Sequence, residues 1–435
     1  MTQTPNPEAA ATPSSVAATP DATEATTQAA RVIAGGGLLD VAGYRAMGIS
    51  AGIKRKRKDL SLIVSDHPAT TTAIVATQNR FAAAPVILTR EHVLDGHARA
   101  ILTNSGNANA ATGEQGANDA RTMAQVCAAA LGLHSSDIIV SSTGVIGRHL
   151  PMDIVIQGIK DVVGRLNEGK GGEVAQAMMT TDLVPKEVLV EVTTPDGPVR
   201  IAGVAKGSGM IHPNMATMLG WFVTDARVDP SSLQTALRAS ADATFNMISV
   251  DGDESTNDMV AMLANGASDI DVTTGESHVA FMAGLELAMG ELARAIARDG
   301  EGATTLIEVR VEGALAVAEA RHAARTIVSS SLVKSAIFGR DPNWGRILSA
   351  LGQSRVGFDP TRVSVQLGSP KGRAWVVQDG EPCETLDRDG LHDLIDAPDV
   401  RILVRLGSGD ADATAWGCDL SYDYVKINAD YTNST

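Results

Sequence analysis

Lys206-Gly-Ser-Gly-Met-Ile-His-Pro-Asn-Met-Ala-Thr-Met-Leu-Gly-Trp-Phe-Val-Thr224 changes character at its middle. Gly207 and Gly209 open the backbone to angles that side chains forbid, and Pro213-Asn214 is a turn signal. From Met218 to Val223 nearly every residue is apolar, the pattern of a strand buried on both faces. Thr217 stands where a pliable loop meets that rigid strand. Were the Ala216–Thr217 bond cut, Thr217 would carry a free α-amino group beside its own hydroxyl. Such an amine titrates at about 7.7–8.0, and a threonine activated by its terminal amine is an established nucleophile. The plainer reading is that Thr217 opens a core strand, as β-branched residues commonly do.

Outward from this stretch, short apolar runs alternate with longer amphipathic ones. Residues 60–65, 72–77, 85–89, 98–103 and 137–141 read as strands. Ala120, Met123, Cys127, Ala130 and Leu131 fall at helical spacing, with Gly132 as the stop. Phe281, Leu285, Met289, Leu292 and Ile296 form a second helical stripe that ends near Gly300, and core packing explains it. Residues 305–311, 363–367, 374–377 and 400–406 add strands. Strands and helices mixed along 435 residues without an internal repeat predict an α/β chain in two lobes.

Composition narrows the function classes. A net charge of −15 argues against nucleic acid or an anionic membrane as partner. The three cysteines, Cys127, Cys383 and Cys418, form no CxxC pair, and no histidines stand at metal-binding spacing, so no metal is expected. A reducing cytoplasm suits them. Residues 1–29 hold no leucine, isoleucine, aromatic or basic residue and read as a disordered extension rather than a targeting signal. No later apolar run reaches the ~18–20 residues that span a bilayer. Lys54-Arg-Lys-Arg-Lys58 is a sharp basic run in an acidic chain. A solvated loop is its plainer reading, and steering of an anionic substrate the other. The glycine loop lacks both GxxxxGK[ST] and a strand–GxGxxG–helix setting, which excludes a nucleotide cradle there.

The segment Lys206–Leu219 resembles the self-cleavage signature of the ornithine acetyltransferases, the glutamate N-acetyltransferases of arginine biosynthesis. Further blocks resemble that family in its own order, from about Val32 to the C-terminus. They include Asn104-Ser-Gly-Asn-Ala-Asn-Ala110, Ser142-Thr-Gly-Val-Ile-Gly147, Met179-Thr-Thr-Asp182, Ser255-Thr-Asn-Asp258, Phe338-Gly-Arg-Asp-Pro-Asn-Trp-Gly-Arg346 and Tyr424-Val-Lys-Ile-Asn-Ala-Asp-Tyr431. The resemblance implies two stacked sheets flanked by helices, a four-layer α-β-β-α sandwich. It implies autoproteolysis between Ala216 and Thr217, giving an α chain from residue 30 to 216 and a β chain from 217 to 435, assembled two of each. Thr217 would then take acetyl from N2-acetylornithine and pass it to L-glutamate by a ping-pong cycle through an acetyl-threonine, with no cofactor. Some members also use acetyl-CoA as donor, and no motif decides this for the chain.

By the same resemblance Thr143 and Gly144 match the oxyanion hole, and Thr180, Lys206, Thr217, Glu301 and Asn428 match substrate contacts. The family's terminal threonine or serine falls at Asn433, where this chain continues through Ser434 and Thr435; Asn433, Thr432 or Thr435 are the candidates for that contact. Ala111, Glu254 and Met259 also depart from the family pattern. Two other functions stay open on sequence alone. One is an amidase or aminopeptidase using the same processed threonine; the other is a non-enzymatic binding module in which Thr217 is a core residue.

Overall fold

The computed structural model describes residues 29–212, 218–383 and 387–429. Its strands form three mixed sheets. Leu219–Thr224 lies in a six-stranded sheet, antiparallel to Gly197–Lys206 and parallel to Met259–Ala264. All six residues of Leu219–Thr224 are buried, and so are all six of Met259–Ala264, because each strand has a core on both faces. Successive side chains point to opposite faces. Phe222, Val260 and Met262 share a core with Phe281, Leu285 and Leu292 of the helix Gly275–Arg298 and with Leu233 and Leu237 of the helix Pro230–Ala243. Leu219, Trp221, Val223, Met259, Ala261 and Leu263 turn the other way. There they pack with Ile63, Ile101 and Ile139 of a four-stranded sheet.

That second sheet comprises Tyr44–Ile49, Leu60–Ser65, Ala100–Asn107 and Ile138–Val145. Its opposite face carries Leu62, Leu102 and Val140. These pack with Met123 and Cys127 of the helix Gly113–Leu131 and with Val155 and Ile159 of the helix Met152–Gly164. The expected stop holds: Gly132 caps the first of these helices at φ 71°, a left-handed conformation that costs glycine little.

A third sheet, of seven strands, was not foreseen. In it Leu306–Ala314 runs parallel to the central strand Asp399–Arg405 and antiparallel to Ala411–Cys418. It has its own core, in which Ile307, Val309 and Val311 meet Ala324 and Ile327 of the helix Val317–Ser329. The two-sheet expectation therefore accounts for two of three sheets. The strands expected over 305–311, 363–367, 374–377 and 400–406 exist, but they pair with one another rather than extending the stacked pair.

One predicted strand is a helix. Residues 85–89 lie within the helix Ala84–His92, with Pro85 in its first turn, where the missing N–H costs nothing. Val86 and Thr89 are buried while Ile87 and Arg90 are exposed, the three-residue rhythm of a helix. A run of five residues is too short to separate the two periods.

The proposed cleavage point does not divide the sheets. The six-stranded sheet takes Ala30–Val32, Thr71–Ala76, Lys186–Thr194 and Gly197–Lys206 from before residue 217, and Leu219–Thr224 and Met259–Ala264 from after it. Among the described residues no helix is long and apolar enough to cross a membrane.

Candidate active site

Two strand ends and a helix end meet at one cavity of about 310 Å³. Thr143, Gly144, Thr180, Lys206, Met218, Asp258, Glu301 and Asn428 are among the residues that line it. Thr143, Gly144, Thr180, Lys206, Glu301 and Asn428 were each singled out in the sequence, and the fold brings them together. Ala216, Thr217 and Asn433 lie outside the described residues. Met218, bonded to Thr217, is on the cavity wall.

Thr143 and Gly144 end the strand Ile138–Val145, in parallel register with Ser105 and Gly106. Gly144 has φ 131°, and a Cβ built on it would lie 2.3 Å from the carbonyl carbon of Gly106. No side chain fits between these strand ends, so the backbone itself faces the cavity. Asn257 braces the same strand end from below, donating to the carbonyls of Ser142 (2.9 Å) and Ala108 (2.6 Å).

Lys206 closes the strand Gly197–Lys206 and donates from Nζ to Thr143 Oγ1 at 3.1 Å. Because the ammonium is the donor, the Thr143 hydroxyl keeps its own hydrogen for another acceptor. Beyond Lys206 the loop is pinned at each turn. The Gly207 amide donates to Asp182 Oδ1 (2.8 Å), and the Ser208 hydroxyl donates to the Asp299 carbonyl (2.6 Å). The Met210 and Ile211 amides donate to the Asp251 carboxylate (2.6 and 2.9 Å). Met210 has φ 56°, a left-handed conformation unusual for a side chain of its size, and the Asp251 carboxylate holds it there. His212 Nδ1 lies 3.0 Å from Ser249 Oγ, and burial, aided by nearby Arg325, lowers its pKa to about 4. The ring is neutral at pH 7.

Glu301 follows the end of the helix Gly275–Arg298. Its carboxylate accepts from Asn428 Nδ2 at 2.7 Å, and a Cβ at Gly209 would collide with it at 2.3 Å. A glycine is required at 209 for Glu301 to reach the cavity.

Sequence reasoning missed the ion cluster behind this wall. Lys186 Nζ lies 2.8 Å from Asp182 Oδ1 and 2.6 Å from Asp299 Oδ2, with all three side chains buried. Asp299 ends a helix, where a carboxylate opposes the macrodipole, and the Lys186 ammonium offsets that. Asp182 and Lys186 are four apart, a weak hint, but Asp299 is 113 residues further on, and nothing local announces it. Burial would raise the Asp182 carboxyl, yet Lys186, Lys206 and the Gly207 amide together hold it at about 2. A folded-state pKa below the unfolded value of 3.8 stabilises the fold above pH ~4, and that contribution disappears as pH falls through 2. Acid titration followed by near-ultraviolet dichroism is therefore expected to show this wall loosening only below pH ~4. Loss of signal confined to pH 5–6 would contradict it.

Asp258 was quoted in the sequence only as part of a block. It is almost fully buried beside the cavity, its Oδ2 has no partner among the described residues, and burial holds its carboxyl well above the usual carboxylate range. No group of three or more His, Cys, Asp or Glu side chains among the described residues is arranged to hold a metal.

The ArgJ family model matches residues 45–433 of this sequence, so it takes in every wall of the cavity. The chain belongs to the ArgJ family. Curated ArgJ relatives match nearly end to end. The arginine biosynthesis bifunctional protein ArgJ of Symbiobacterium thermophilum is 48% identical over 401 residues, which is 91% of this chain and 98% of that one. The protein of the same name from Caldanaerobacter subterraneus is 47% identical over 392 residues, 89% of this chain and 96% of that one. Among solved structures, the ornithine acetyltransferase of Mycobacterium tuberculosis complexed with ornithine is 39% identical. It covers 43% of this chain and 100% of its own, at a TM-score of 0.41.

Proposed function

We propose that this chain is an acyltransferase of arginine biosynthesis that moves acetyl from N2-acetylornithine to L-glutamate. Acetyl-CoA serves as a second donor for making N-acetylglutamate, a reading supported by the similarity to ArgJ proteins named as bifunctional. The observation that carries this reading is the convergence of Thr143, Gly144, Thr180, Lys206, Glu301 and Asn428 on one cavity whose wall includes Met218.

Thr217 is the nucleophile. Its hydroxyl attacks the Ala216 carbonyl, the peptide C–N bond breaks, and the Thr217 nitrogen leaves as an amine. Water then hydrolyses the ester, releasing residues 1–216 from 217–435. In turnover the free amine of Thr217 accepts the hydroxyl proton as oxygen attacks the acetyl carbonyl, and gives it to the ornithine nitrogen as the amide C–N bond breaks. The glutamate amine then attacks the acetyl-threonine ester, the ester C–O bond breaks, and the Thr217 oxygen regains a proton. The Thr143 hydroxyl and the Gly144 amide take the developing oxyanion; one such donor is worth roughly 3–4 kcal/mol. The Lys206 ammonium, which orients the Thr143 hydroxyl, adds positive charge to that corner and draws the substrate carboxylate. Glu301, held by Asn428, pairs with the side-chain ammonium of ornithine, and Thr180 completes the rim. Asn433 remains the candidate for the terminal contact.

The packing order of helices, six-stranded sheet, four-stranded sheet and helices supports a four-layer α-β-β-α sandwich as the frame. With strands from both sides of residue 217 interleaved in one sheet, the cleaved chains stay associated, and two copies of each make the assembly. The enzyme works in the cytoplasm.

Incubation with acetylornithine, with and without glutamate, tests the reaction. Ornithine release that depends on glutamate is expected; equal release without it would indicate an amidase instead. Thr143→Val is expected to lower kcat roughly 10²–10³-fold with little change in folding. Gly144→Ala is expected to be as damaging, since its methyl group would force the strand ends apart. Wild-type kcat in either variant would remove these groups from the mechanism.

A further inference from the structure

The basic run 54–58 is not the free solvated loop its composition suggested. It is folded around the buried carboxylate of Asp59, which accepts from the amides of Ala51 (2.6 Å), Gly52 (3.0 Å) and Lys54 (2.8 Å). Lys58 Nζ donates back to the Gly48 carbonyl at 2.9 Å. Two further members reach the cavity wall. Lys54 Nζ donates to the Met179 carbonyl (2.9 Å), and Arg57 donates to the carbonyl of Thr180 (3.2 Å), a residue of the cavity lining. Ile53 and Lys54 also lie against Gly106, the register partner of Gly144. The loop is thus a braced shelf against the Thr180 side of the cavity wall. On it Arg55 and Lys56 are exposed, and among the described residues neither takes part in an ion pair.

Unpaired cations at a catalytic rim are unusual in a chain of net charge −15. The small amino-acid substrates carry their charges within a few ångströms of the reacting carbon and are served by Lys206 and Glu301 inside the cavity. A rim outside it suits a substrate whose charge is remote from its reacting end. Guanidinium and ammonium groups together favour phosphate, the first through paired hydrogen bonds and the second as a point charge. We propose that the loop 54–58 docks the phosphate groups of acetyl-CoA, with Arg55 and Lys56 as the phosphate ligands, while the acetyl thioester reaches into the cavity. This rests on the reading of the cavity as the acetyl-transfer site. Lys54 and Arg57 brace the wall and hold the shelf in place.

The test uses the mature enzyme, its processing checked by intact mass, and the double variant Arg55→Gln/Lys56→Gln. Adenosine 3′,5′-bisphosphate, the phosphate-bearing end of the donor without its acyl arm, is titrated calorimetrically. Binding to the wild type, weakened by about tenfold or more in the variant, is expected, as for loss of charge-assisted hydrogen bonds. The KM for acetyl-CoA should rise by a similar factor, while the KM for acetylornithine stays within about twofold. Wild-type binding that the variant retains would overturn the proposal, as would absence of binding or an equal rise in both KM values. An equal rise would mean general steering of anions. Should the wild type transfer acetyl from neither donor, the proposed function fails, and the calorimetric comparison still decides whether the shelf binds phosphate.

Discussion

Thr217→Ala is expected to migrate as one full-length chain on a denaturing gel, where the wild type gives two pieces, residues 1–216 and 217–435. Alanine has no hydroxyl to attack the preceding carbonyl, so neither self-cleavage nor an acetyl ester can form. Acetyl transfer should fall by at least ~10⁴-fold, the scale seen when a covalent nucleophile is removed. Thr217→Ser keeps the oxygen and loses only a methyl group, so it should retain part of both activities. Intact mass spectrometry reads both outcomes, since wild type incubated with acetylornithine should gain one acetyl group on the chain beginning Thr-Met-Leu-Gly. The native gel carries no such information. The interleaved six-stranded sheet should keep the two pieces together whether or not the bond is cut. Efficient turnover by Thr217→Ala would end the covalent mechanism.

The second large effect concerns Lys186, which touches no substrate. Its ammonium lies between the Asp182 and Asp299 carboxylates, with almost no solvent at any of the three. Replacing it with methionine keeps the volume and leaves two buried carboxylates facing each other. Breaking a buried pair in this way costs about 3–5 kcal/mol, to be read as a shift in the urea midpoint at constant m-value. Activity should fall as well, because Asp182 also accepts from the amides of Thr180 and Gly207. Those bonds hold the cavity rim and the start of the loop that leads to the proposed cleavage site. The control is Asp182→Asn/Lys186→Met/Asp299→Asn. Removing all three charges should recover much of the stability without recovering activity in full. Equal stability of Lys186→Met and wild type would show that the cluster is not under the strain of burial assigned to it.

Much of the local structure was legible in the residues. Leu60–Ser65 and Leu219–Thr224 announce themselves through short, mostly apolar runs, and Gly275–Arg298 through its stripe from Phe281 to Ile296. Residues 85–89 misled because so short a run suits either period and Pro85 was read inside a strand instead of in a helix's first turn. The strands of the third sheet were visible one by one, yet their partners were not. Pairing is chosen by the register of segments far apart in the chain, such as Leu306 with Asp399 and with Cys418.

The candidate site divides in the same way. Thr143, Gly144, Thr180, Lys206, Glu301 and Asn428 could be named because motif resemblance works position by position. Their meeting at one cavity, the requirement for glycine at 144 against Gly106 and the ion cluster behind them required the fold. Sequence alone determined the α/β character, the family and the threonine at the loop–strand junction, since each rests on periodicity or on residues close together in the chain. The tertiary structure decided which sheets exist, which loop braces the rim, and how Asp299 finds Lys186 across 113 residues. Coulomb attraction and close packing act through space over a few ångströms, and only a completed sheet register sets those distances.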